Sequence, residues 1–160
     1  MTDTTVPVVM LLATLGLMLG FVPRRIAIIA IAVSLVVAPG LALLPAPDMS
    51  AAIILQTIWL TIAVLSMFVF WPRFQSTALT IMLAVLTGMI AGVALTPLSR
   101  AIDLAPLLAL SVVVPATFAV LRGYAIAPRV VMAWLLAVTM LGAILPHVVA
   151  HPGYVDDHRG

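Results

Sequence analysis

The chain has 160 residues, 65% of them hydrophobic and only 8% charged, with a mean hydropathy of +1.34. A soluble domain averages about 45–50% apolar and about 25% charged residues, so a water-facing globule is excluded. Every charge is Arg or Asp, the formal net charge is +2, and cysteine is absent, which excludes disulfides, thiol chemistry and cysteine metal sites.

Crossing a bilayer takes about 20 apolar residues in a helix, with a range of roughly 17–25. Six stretches qualify in chain order: 6–22, 26–44, 50–71, 76–95, 101–121 and 128–149. The first follows a start with no positive charge, while Arg24 and Arg25 come after it. A cleavable signal peptide has the opposite order, so this run reads as a retained membrane helix. Pro7, Pro23, Pro45, Pro47, Pro72, Pro97, Pro106, Pro128 and Pro152 fall near segment boundaries, where a missing N–H does little harm. Pro39, Pro115 and Pro146 lie inside segments, where a proline either bends the helix or serves as a hinge.

Charge sets the expected orientation. The connections after the first, third and fifth segments carry Arg24, Arg25, Arg73, Arg122 and Arg129 and no acid. The opposite side carries Arg100 and Arg159 with Asp3, Asp48, Asp103, Asp156 and Asp157. The positive-inside rule then places both termini outside the cytoplasm, in an inner membrane if the host is Gram-negative. Trp71, Phe74, Tyr124 and Tyr154 fall at the predicted interfaces, as an aromatic belt does.

Landmarks of the first three segments recur in the same order about 75 residues later. Gly16 and Gly20 answer to Gly88 and Gly92, Ser34 and Pro39 to Ser111 and Pro115, and Trp59 to Trp134. An odd number of spans per copy makes the second copy enter from the opposite face. The expected fold is therefore an all-α integral membrane protein with six transmembrane helices. It forms one membrane domain over residues 1–160, a 3+3 inverted repeat of 6–72 and 76–146 with a polar tail at 150–160.

Matching interruptions in two halves of a membrane chain point to a binding site in transporter-like folds. Ser34, Pro39, Ser111 and Pro115 are accordingly candidates for a substrate path, with Gln56 as a further contact. Each has a plainer alternative. The serine hydroxyls can bond to their own helices, and Gln56 can cross-link two helices. An enclosed polar cavity between the second and fifth segments would favour the path; a solid, dry seam would exclude it. Gly16, Gly20, Gly88 and Gly92 form small-xxx-small pairs, the pattern of close helix packing within the chain or across a dimer.

No Asp, Glu, Lys or Arg falls near a midplane, which argues against ion coupling and against a charged solute held in the core. His147 and His151 share a face and are weak metal candidates, but Pro146 and Pro152 disturb that stretch. No cofactor is implied. Enzyme signatures are missing: there is no H-E-x-x-H, no G-x-S-x-G and no intramembrane aspartate pair. No aromatic-plus-basic cluster offers a grip on nucleic acid. Two functions remain. One is a small transporter or facilitator for a neutral or amphiphilic solute. The other is an accessory or scaffold subunit, acting with other membrane subunits or as a homo-oligomer in the lipid bilayer.

Overall fold

A computed structural model describes residues 5–42, 50–71, 76–95 and 105–149. All regular structure among them is helical: α1 (Thr5–Leu19), α2 (Arg24–Ala42), α3 (Ala51–Phe70), α4 (Thr77–Leu95), a 3-10 helix (Ala105–Val112) that runs into α5 (Val113–Leu121), and α6 (Ile126–Val149). Four helices are long and apolar enough to cross a membrane, in α2, α3, α4 and α6. This is consistent with a membrane protein, in which backbone groups must be satisfied within the helix because the surroundings offer no water.

Two of the six expected spans differ from the others. α1 is 15 residues long, or about 22 Å, short of the ~30 Å hydrocarbon core. The fifth segment, expected as one α-helix over 101–121, is an 8-residue 3-10 helix followed by a 9-residue α-helix. A 3-10 helix rises about 2.0 Å per residue, so the composite reaches roughly 30 Å. Pro115 explains the junction. It has no N–H to offer the Ser111 carbonyl, and it occupies the first turn of α5, where that loss is harmless. Pro39 acts differently: α2 continues as a helix past it to Ala42. The expected interruption of the second segment is therefore not an unwinding.

Helix ends follow local chemistry. Ser50 caps α3 by accepting a hydrogen bond from the Ile53 N–H at 3.4 Å, and Ser76 caps α4 by accepting from the Leu79 N–H at 3.2 Å. The turn from α5 to α6 is a Schellman motif. The Tyr124 N–H donates to the Ala119 carbonyl at 2.8 Å, and the Gly123 N–H to the Val120 carbonyl at 3.1 Å. Gly123 has φ +82°, a conformation that a side chain would strain.

α1 lies at the centre of the packing, against the 3-10 helix and α5 on one side and against α3 and α4 on others. Its residues Leu11, Leu12, Leu15, Met18 and Leu19 are wholly buried. α2 packs chiefly on α4, and α3 chiefly on α6 and α1. α6 does not pack along α4 as α3 packs along α1.

Candidate functional site: glycine seams and a groove between two helices

The four candidate glycines sit at the closest helix approaches. A methyl group placed on Gly88 would lie 3.3 Å from the Ser34 Cα, and one on Gly92 would lie 2.6 Å from the Ala38 carbonyl oxygen. These two seat α4 on α2. On the other side, a methyl on Gly16 would lie 3.1 Å from the Leu110 carbonyl oxygen, and one on Gly20 would lie 2.7 Å from the Ala116 Cβ. These seat α1 on the 3-10 helix and α5. In both seams the two helices run in the same direction, because rising residue numbers on one meet rising numbers on the other.

Ser34 is buried in the first seam, and its hydroxyl donates to the Ala84 carbonyl oxygen at 3.0 Å. It thus bonds to the neighbouring helix rather than to its own. Most buried threonines do bond at home: Thr14 donates to the Met10 carbonyl at 2.6 Å and Thr61 to the Thr57 carbonyl at 2.8 Å. Ser66 and Thr87 are exceptions, with buried hydroxyls that have no partner among the described residues. These facts give opposite expectations for two variants. Ser34→Ala should lower stability by about 0.6 kcal/mol, up to ~1.7, the range of interhelical hydrogen bonds in membranes. Thr87→Val should be neutral or stabilising, because it removes a buried polar group that has no partner to lose. Denaturant titration in mixed micelles, followed by far-UV circular dichroism, separates the two. Equal losses would contradict this assignment.

The remaining candidates do not converge. Pro39 lies partly exposed in α2, Gln56 is exposed on α3, and Ser111 and Pro115 are exposed near the 3-10 to α junction. The side chain of His147, and all of His151, lie outside the described residues. So do Arg73, Phe74, Arg100, Tyr154 and Arg159, the five aspartates and the tail at 150–160.

Between α2 and α5 there is neither an enclosed polar cavity nor a solid seam. An open groove of about 450 Å³ runs there instead. One wall is a stripe of α2: Arg24, Ala27, Ile28 and Ile31. The other is a stripe of the fifth segment, from Val113 and Val114 through Thr117 and Phe118 to Leu121. Each stripe has the three-to-four-residue spacing of one helix face. The groove is apolar except at the end where α2 begins and α5 finishes. There Arg24 lines it, and the Arg122 guanidinium lies 4.6 Å from the centre of the Phe118 ring. Arg129 stacks at 5.8 Å over Phe21 at the end of the bundle where α1 finishes. A second apolar groove, about 190 Å³, lies between α3 and α4 around Ile54, Thr57, Leu86 and Met89.

Sequence reasoning missed the groove. It counted Arg24 and Arg122 only for orientation. The available signal was that Arg24 opens the α2 stripe and that Arg122 directly follows Leu121, the last residue of the α5 stripe.

Fold and site together define the class: among the described residues, a bundle of apolar helices, four of them of membrane-spanning length, with two glycine seams and a lateral groove. Compared with known proteins, the chain matches no family model, no curated protein and no solved structure.

Proposed function

We propose that this chain is a small multi-pass inner-membrane protein that facilitates movement of a small amphiphilic solute along the groove between α2 and α5. The observation that carries the reading is the groove itself. It is open on its side, apolar over most of its length and charged at one end. That pattern suits a molecule with an oily body and a polar head, and gives a freely hydrated ion nothing to replace its water. Binding sites for small molecules are typically about 300–1,000 Å³ with few polar groups, and the groove falls in this range.

The inverted-repeat reading draws support from the two seams. Gly88 meets Ser34 while Gly16 meets the stretch around Ser111; Gly92 meets Ala38 while Gly20 meets Ala116. A shift of about 75 residues carries each partner of one seam onto a partner of the other. In this arrangement α1 and the composite fifth segment are spans like the rest, for six in all.

Orientation follows from the basic end. Arg24, Arg25, Arg122 and Arg129 would face the cytoplasm, with both termini opposite. The chain has no cysteine, so Tyr124→Cys supplies a single thiol in the exposed turn between α5 and α6. A membrane-impermeant maleimide should label it in inverted membrane vesicles and leave it unlabelled in intact spheroplasts. The reverse result would invert the topology.

A second reading, a scaffold subunit, rests on Trp134. This residue is 62% exposed well inside α6, beside exposed Val130 and Leu141. Tryptophan facing outward normally marks the membrane interface; at this depth it suits a partner helix. Reconstitution tests both readings. The first expects purified protein in liposomes to speed the flux of a fluorescent amphiphile. The second expects tight liposomes, and a partner at fixed stoichiometry after purification in gentle detergent.

A further inference from the structure

We infer that the charged end of the α2–α5 groove is a binding site for the phosphate headgroup of an anionic phospholipid, with one acyl chain lying in the groove. The inference uses the groove of the proposed function but does not require transport. Three observations carry it. Arg24 is exposed and is itself part of the groove lining. The guanidinium of Arg122 is held against the groove wall by the Phe118 ring at 4.6 Å, and the Schellman turn fixes the backbone that carries it. No acidic residue lies among the described residues, so neither guanidinium has a carboxylate there to neutralise it.

A guanidinium in the lining of an apolar trough and a second stacked on its Phe118 wall are charge-complementary to a phosphate and mismatched to a cation. Guanidinium groups grip phosphate through paired N–H donors, whereas the quaternary ammonium of a zwitterionic lipid would sit unfavourably beside them. Basic pockets between membrane helices recognise anionic headgroups in this way. The trough has the right direction too. From Arg24 to Ile31 the α2 wall advances roughly 10 Å into the bundle, about a third of the hydrocarbon thickness. A lipid held by its phosphate at the arginine end would therefore lay the start of an acyl chain along Ala27, Ile28 and Val114.

Native mass spectrometry in detergent, with phosphatidylglycerol and phosphatidylcholine of identical acyl chains, tests this directly. The protein should retain phosphatidylglycerol preferentially. Neutralising one arginine should weaken retention about fivefold, and Arg24→Gln with Arg122→Gln on the order of thirtyfold. Arg25→Gln, which removes a charge outside the groove lining, should leave the preference intact. Val114→Trp keeps both charges and fills the trough, so it should also reduce retention; this arm stands if the double variant fails to fold. Glycerol phosphate should not displace the lipid, since it has the head without the chain.

Equal retention of the two lipids, or a preference that survives the double neutralisation, would overturn the inference. Displacement by glycerol phosphate alone would reduce the site to a simple anion site and overturn it as well. The transport reading fails separately. A protein that prefers phosphatidylglycerol but leaves liposomes tight refutes transport alone. One that moves solute without that preference refutes the lipid site alone.

Discussion

Gly92→Leu is expected to unseat α2 from α4 and to lower stability by about 3 kcal/mol or more, roughly a hundredfold in the folded-to-unfolded ratio. Even the first atom of a side chain at this position would lie 2.6 Å from the Ala38 carbonyl oxygen and 2.8 Å from the Leu41 Cβ. The first of these is backbone and cannot swing aside. Overpacking of this kind costs typically about 1–3 kcal/mol before the helices part. Once they part, the Ser34 to Ala84 hydrogen bond at 3.0 Å is lost too. Gly40 supplies the internal control. It is exposed on α2, the helix against which Gly92 packs, and has nothing within 4 Å of an added methyl. Gly40→Ala should therefore be neutral or stabilising by about 0.4–1 kcal/mol. Denaturant titration of the two variants side by side would refute the seam if they lost stability equally. Gly20→Leu is the companion test, because its added atom would lie 2.7 Å from the Ala116 Cβ. Similar losses at Gly20 and Gly92 are what two copies of one seam require.

On the proposed transport reading, filling the groove should cut amphiphile flux without harming the fold. Ile28 and Val114 line it from opposite walls and are 56% and 68% exposed. Ile28→Trp with Val114→Trp places two indoles in the trough while leaving the buried faces of α2 and α5 untouched. Surface changes of this kind typically alter stability by only about 0.5 kcal/mol, so the double variant should unfold like the parent. Its rate of amphiphile movement in liposomes, at equal protein density, should fall at least about tenfold, because a site of this size has little room beyond its ligand. Undiminished flux would move the path elsewhere. The apolar groove between α3 and α4 would be the next place to look.

The helices were largely legible because each rule that placed them is local. Ser50 and Ser76 mark the starts of α3 and α4, and both cap those helices through their hydroxyls. Pro23 separates α1 from α2 and accepts the first N–H bonds of the second, from Ile26 and Ala27. The reading placed Arg24 and Arg25 in the connection before the second segment, whereas they form the first turn of α2. The fifth segment misled most. Pro115 signalled an interruption there, but nothing in composition shows that residues 105–112 rise as a 3-10 helix before it.

The partners of the glycine pairs were not legible for a different reason. A small-xxx-small pattern states that something approaches closely, but not which helix. Here α4 takes α2, and α1 takes the fifth segment. The groove was hidden by the uniform apolarity of its helices. In a soluble protein, the polarity contrast between faces tells inside from outside. In α2 the groove residue Ile28 and its exposed neighbour Ile29 are the same amino acid, so the sequence cannot mark which one borders the trough.

The parallel seams also join parts of the chain that are made far apart in time. Ser34 and the carbonyl it needs are 50 residues apart, and the second seam joins α1 to a segment that emerges later still. Until α4 has been made, the Ser34 hydroxyl of α2 lacks the Ala84 carbonyl and α2 lacks the helix on which it chiefly packs. A chain that has reached only α3 leaves the small-residue surfaces of α1 and α2 without the partners they meet in the whole protein.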